Sequence, residues 1–226
     1  ANTEASGQSS TAMGHMTTAS GDYSTAMGYQ TQASGNLSTA MGENTEASGI
    51  ISTAIGFNSN ATGPYSVAIG ATNNSSGYAS TTLGDSNSAI GRASTAIGAG
   101  TIAEDFGMLS IGVWSSPLSQ PNPNQFDYNN TALLIGNGPN ADNRSNALQV
   151  LFDGTTTIAG DLNVNSDARL KANIVSLGAT LSKLLLIDGK SYTMKKDESE
   201  KQKIGLLAQD IEKVFPELVS ESNGIK

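Results

Sequence analysis

Ser10-Thr11-Ala12-Met13-Gly14 returns unchanged at residues 24–28 and 38–42, and as Ser-Thr-Ala-Ile-Gly at 52–56 and 94–98. Around it, Gly occupies every seventh position from Gly7 to Gly98, and pairs of these sevens form eight fourteen-residue units that fill residues 1–112. A heptad coiled coil would forfeit about 1 kcal/mol at each Gly relative to Ala. Collagen requires Gly at every third position. The pattern therefore predicts a solenoid of short strands, two to a coil, each ending at a Gly that takes the positive φ of a tight turn.

Strand alternation then assigns the faces. Ser10, Ala12 and Gly14 share one side, and Thr11 and Met13 the other. The small side must line the interior, which leaves a narrow roll with no room for a ligand or cofactor. The outward side carries Met13, Met27, Met41, Ile55, Ile69, Leu83, Ile97 and Ile111 in one ladder. At about 4.8 Å per coil this is an apolar stripe roughly 35 Å long. Burying side chains of this type is worth on the order of 2 kcal/mol each. Another copy of the chain is the simplest cover.

These repeats resemble the head repeats of trimeric autotransporter adhesins, the YadA-like head, whose signature Ser-Val-Ala-Ile-Gly stands at Ser66 to Gly70. The resemblance implies a left-handed parallel β-roll, a homotrimer packed about a threefold axis with the Met/Ile ladder as its core, and display at a cell or particle surface. The repeat loosens over 85–112, where Ile90 replaces the usual Ser and Gly107 arrives two residues late, as a terminal coil should.

The rest of the chain is built differently. Residues 1–112 hold eight charged side chains, whereas 166–226 hold nineteen, including all nine lysines. Between them, residues 113–165 read as a β-rich neck: a connection with three prolines over 113–130, then strands at 131–136, 147–152 and 155–159, with a turn at Asp153-Gly154. Trp114, Phe126 and Tyr128 read as a cap on the open end of the solenoid, with a carbohydrate-stacking platform as the alternative.

The last block contains Ser166-Asp167-Ala168-Arg169-Leu170-Lys171 and, downstream, the run from Ile204 to Val219. Together they look like the endosialidase-type intramolecular chaperone, the self-cleaving module that ends phage tail spikes and surface fibres. That resemblance implies a Ser166/Lys171 catalytic dyad and a cut between Asn165 and Ser166. A Ser hydroxyl becomes a nucleophile only when a base takes its proton, and Lys serves as base only once burial lowers its pKa well below about 10.4. Residues 166–226 then form a small α+β chaperone fragment, with helices near 179–186 and from 208 to Phe215, and a strand near 190–195. Asn223-Gly224 signals a hairpin whose return strand would lie beyond Lys226, and the family's long C-terminal helices are missing, so the segment reads as the front part of such a module.

The whole is thus mainly β, and its expected function is a trimeric fibre or adhesin segment with a removable chaperone. Its only expected catalysis is a single self-cleavage in cis. A glycan-degrading tailspike is the alternative among enzymes, but seven acidic residues scattered through 1–112 offer no paired carboxylates. An ice-binding solenoid is the other, suggested by the rank Thr11, Thr25, Thr39, Thr53, Thr81 and Thr95, which Val67 interrupts. A net charge of −8 argues against nucleic acid. There is no apolar run of about 20 residues to span a membrane. With no Cys and His15 as the single His, no metal or cofactor is implied. The expected location is extracellular, on a bacterial surface or a phage fibre, facing an unidentified receptor or glycan.

Overall fold

A computed structural model describes residues 2–178, 180–193 and 202–221, and the chain divides into two compact units at Asn163/Val164. The first unit is the roll. Each coil contributes one five-residue strand, such as Thr25–Tyr29, and one two-residue strand, such as Gln32–Ala33. Long strands stack only on long strands and short on short, always parallel and fourteen residues apart, so that Thr25 pairs Thr39 and Gln32 pairs Glu46. The result is two stacks of eight strands, the short ones forming an eight-stranded sheet and the long ones the greater part of an eleven-stranded sheet.

Between the sheets lies a core of alanines, from Ala19 and Ala26 through Ala68, with no exposed surface at all. Beside them run buried Ser24, Ser38 and Ser52 just before the long strands and Thr17, Thr31 and Thr45 just before the short ones. Farther along, asparagine replaces threonine in that inner rank. Asn73 Nδ2 donates to the carbonyls of Ile69 (2.8 Å) and Gly84 (2.9 Å), and its Oδ1 accepts from the Asn87 amide at 3.0 Å. Each such side chain ties three consecutive coils, a satisfied polar network of the kind a buried amide requires.

The two glycine series have different reasons: the Gly21 series opens the bends, its carbonyl accepting from the Ser24 amide at 3.2 Å but without the expected positive φ, and the Gly28 series lies within the strands. Gly28 sits within its strand at φ +124°, and a Cβ there would lie 1.9 Å from the Gly42 carbonyl oxygen. Its left-handed backbone re-aims the strand, so Gly28 is exposed rather than lining the interior with Ser24 and Ala26. Gly21 has no positive φ; it is Gly because a Cβ would meet the Gly35 oxygen at 2.2 Å. The positive φ of the bends falls instead on non-glycine residues such as Tyr23 (57°) and Gln30 (53°).

Close stacking also explains where the Gly rule lapses. Asp105 occupies the next Gly position, at the last full coil, and there the buried carboxylate accepts from the backbone amides of Asn122 (2.7 Å) and Thr131 (2.6 Å). It thereby pins the Pro-rich connection over the roll. Glu104 does the same for the Leu118 amide at 2.6 Å, and Ser115 Oγ accepts from the Ile102 amide at 2.8 Å.

The sheet runs on past residue 112. Strand Thr131–Asn137 pairs parallel with Leu109–Val113 as a ninth long strand, with Leu134 filling the inner position and Ile135 in register with Ile111. Asn146–Leu151 and Thr156–Ile158 then close the edge in antiparallel pairing. Of the three expected capping aromatics, Trp114 packs on the last coil, its ring against Gly100 and beneath the Arg144 guanidinium, which donates to the carbonyls of Gly100 (2.6 Å) and Ser115 (3.0 Å). Phe126 and Tyr128 instead form an exposed edge-to-face cluster with Phe152.

In the second unit a helix spans Thr180–Leu184, a hairpin pairs Lys190–Tyr192 with Lys203–Gly205, and a helix runs over Ala208–Val214. Phe215 caps that helix and Pro216 opens a short 3-10 turn, as the sequence requires. Residues 179, 194–195 and Asn223-Gly224, where parts of the expected helix, strand and turn fall, lie outside the described residues.

Candidate self-cleavage site and assembly face

Ser166 and Lys171 flank a single 3-10 turn, Ala168–Leu170. Asp167 builds it. Its backbone is extended (φ −61°, ψ 134°), its carboxylate accepts from the Arg169 amide at 2.8 Å, and its carbonyl accepts from the Leu170 amide at 3.0 Å. The Arg169 guanidinium returns to the same carboxylate through Nε (3.0 Å) and a terminal nitrogen (2.7 Å). These contacts hold the Asp167 carboxyl below its ordinary range, the Arg169 side chain first and its amide second, and raise Arg169 in turn. A depressed carboxyl supports the turn at pH above the ordinary carboxylate value, and that support is lost as pH falls through its lowered one.

The turn brings the two expected reactive groups together: Lys171 Nζ donates to Ser166 Oγ at 2.6 Å. Ser166, Lys171 and Asn165 are all exposed. The burial that the chemistry asks of Lys171 is therefore not supplied by the single chain.

On the roll, Met13, Met27, Met41, Ile55, Ile69, Leu83, Ile97 and Ile111 stand opposite one another in strict register. Ile135 adds a rung that periodicity did not reveal. All are partly or fully open to solvent; Met13 is 55% and Ile69 36% exposed. The Thr rank lies half-buried beside them. No helix among the described residues is long and apolar enough to cross a membrane.

The geometry defines a β-roll with a one-sided apolar face, followed by a segment holding a Ser/Lys pair. Comparison with known proteins assigns the parts. Residues 5–31, 33–56 and 47–73 match the YadA head domain repeat, and residues 166–220 match the family described as chaperone of endosialidase. The chain is also similar to the long tail fiber protein Gp37 of Salmonella phage S16, 31% identical over 102 residues, which is 42% of this chain and 13% of that protein. The chain thus carries two separate family matches, one within residues 5–73 and one over 166–220, and spans only a small part of the fibre protein it resembles.

Proposed function

We propose that this chain is a segment of a homotrimeric surface or tail fibre, displayed outside the cell or on a virion, whose last block assists assembly and is then released by self-cleavage. The observation that carries the reading is the unbroken Met/Ile ladder on one face of the roll. Light scattering of the purified chain tests it: a trimer is expected, and a monomer overturns it. The second unit supports the reading, since Leu177, Leu185, Ile204 and Leu218 are each 72–86% exposed in the single chain, surface that partner copies would cover. The fibre's outer target is a surface receptor or glycan, and a glycan array with the intact fibre identifies its class.

The self-cleavage would use only this chain's groups and water. Neutral Lys171 takes the Ser166 hydroxyl proton, Oγ attacks the Asn165 carbonyl carbon, and the C–N bond breaks as the Ser166 nitrogen is protonated. Water then hydrolyses the resulting ester. Asn165 is left with a free carboxylate, and Ser166 with its amine and hydroxyl restored. Trimer assembly supplies the burial that exposed Lys171 lacks.

Two outcomes test the division of labour. After removal of everything beyond Asn165, residues 1–165 should stay trimeric and melt cooperatively, because every stacked coil and the whole ladder lie upstream. Dissociation on standing would make the C-terminal block a permanent clamp. Separately, Asp167→Ala should slow self-cleavage of the full-length protein by about fivefold or more, as loss of a capping carboxylate loosens the turn. Asp167→Asn, which keeps the acceptor, should retain most of the rate and lose the acid-side decline. Gel time courses across pH measure both.

A further inference from the structure

The two edges of the long sheet are bent by the same backbone device and carry unlike side chains. At the edge following the long strands, the left-handed positions are mostly polar: Met16 (φ 57°), then Gln30 (53°), Asn44 (53°), Asn58 (50°), Thr72 (53°) and Ser86 (56°). At the edge preceding them, the same conformation is taken by small residues at the ends, Ser9 (54°), Ala79 (54°) and Ala93 (57°), and between them by four large ones in successive coils, Tyr23 (57°), Leu37 (59°), Ile51 (57°) and Tyr65 (60°). Asn is at home in this region, whereas a bulky or β-branched residue is an outlier there. These four side chains are also 43–55% exposed. Each residue therefore breaks two local preferences, of backbone and of solvation, and such conflicts persist where the assembled structure uses them.

The order of rows across the outer face shows the use. From the preceding edge come the Tyr23 row, the half-buried Thr row, the Met/Ile ladder, and then the strand-end row that contains exposed Tyr29 and Phe57. The short sheet, by contrast, points Thr18, Gln32, Glu46 and Asn60 outward. Three such faces set around a threefold axis, with the ladders innermost, make a triangular prism. At each edge of the prism the Tyr23 row of one copy meets the strand-end row of the next. The coils match by symmetry, so Tyr23 stands level with the partner's Tyr29, and Ile51 with the partner's Phe57.

We propose that the row Tyr23, Leu37, Ile51 and Tyr65 is a seam between copies, closing over the partner's strand-end row while the short sheet faces solvent. This rests on the trimer reading and deepens it. The seam joins two different patches, so it is heterologous; it closes a ring and fixes the direction in which the copies follow one another. The axial ladder alone, made of like against like, sets no such direction.

The natural absence of Cys makes the test direct. Ile51→Cys combined with Phe57→Cys, treated with a short bifunctional maleimide, should move most of the protein to a covalent trimer on a denaturing gel. Either single substitution should leave it as monomer on the same gel. If light scattering reports a trimer but the double variant gives no covalent trimer, the seam is wrong and the trimer stands; a wild-type monomer overturns both. A second measurement does not depend on cross-linking. Replacing Tyr23, Ile51 and Tyr65 together by Asn relieves the backbone at all three positions, so a merely exposed edge would melt at a higher temperature. A seam should melt several degrees lower, and a rise in the midpoint overturns the proposal.

Discussion

Ile69→Asp is expected to abolish the trimer while leaving the roll folded. In the single chain Ile69 points outward and is 36% exposed, so a carboxylate there meets water and disturbs neither the alanine core nor the register with Ile55 and Leu83. Around a threefold axis the same change brings three like charges into an apolar core. Each uncompensated buried charge costs several kcal/mol even after relaxation. The apolar gain it opposes is about 1–2 kcal/mol per ladder side chain, since each is already partly covered by its own coil. The charges win locally by a wide margin, and the mid-fibre position of the change leaves no long uninterrupted stretch of ladder to compensate. Light scattering should report a monomer, and circular dichroism a retained β signal. A trimer that survives Ile69→Asp would mean that the ladder faces solvent and that the copies meet elsewhere.

The ladder was legible because side-chain period and coil period are both rigid: one residue in two faces out, and one coil takes fourteen residues. Where either period is broken the sequence misleads. Ile135 belongs to the ladder but lies 24 residues after Ile111, because the Pro-rich connection intervenes and only the sheet restores the register. Gly21 and Gly28 look equivalent at a spacing of seven, and both leave no room for a Cβ beneath the next coil, yet only Gly28 also takes a left-handed φ, a distinction the spacing does not carry. Asp105 reads as an irregularity and is the pin that holds the cap. The Tyr23 row escaped alternation entirely, since its members sit in bends where period two does not apply. Lys203–Gly205 was missed for a similar reason: its identity as a strand depends on Lys190–Tyr192, and no short-range turn signal joins the two. The Ser166/Lys171 pair was legible as a phrase, and the Asp167 turn explains why a spacing of five brings the groups into contact. Their exposure was not legible, because burial depends on tertiary surroundings that a six-residue phrase does not specify.

Ser166→Ala and Lys171→Ala should each abolish cleavage between Asn165 and Ser166 in the full-length protein and leave the fibre trimer intact. The first removes the oxygen that would attack the Asn165 carbonyl, and the second the base that would take its proton. Losing either member of such a unit costs several orders of magnitude in rate, so no band of cleaved product is expected over days. The trimer should be indifferent, because both residues lie in the second unit and the ladder lies entirely in the first. Ile69→Asp supplies the complementary arm. In the single chain Lys171 stands exposed while Nζ donates to Ser166 Oγ, so a protein blocked in assembly should remain whole although the pair is unaltered. Intact mass and N-terminal sequence across the four proteins separate the cases. Normal cleavage in Ser166→Ala, or a new N-terminus at any residue other than Ser166, would assign the chemistry to other groups. Full cleavage in monomeric Ile69→Asp at neutral pH would show that the 3-10 turn alone is sufficient and that assembly only follows the cut.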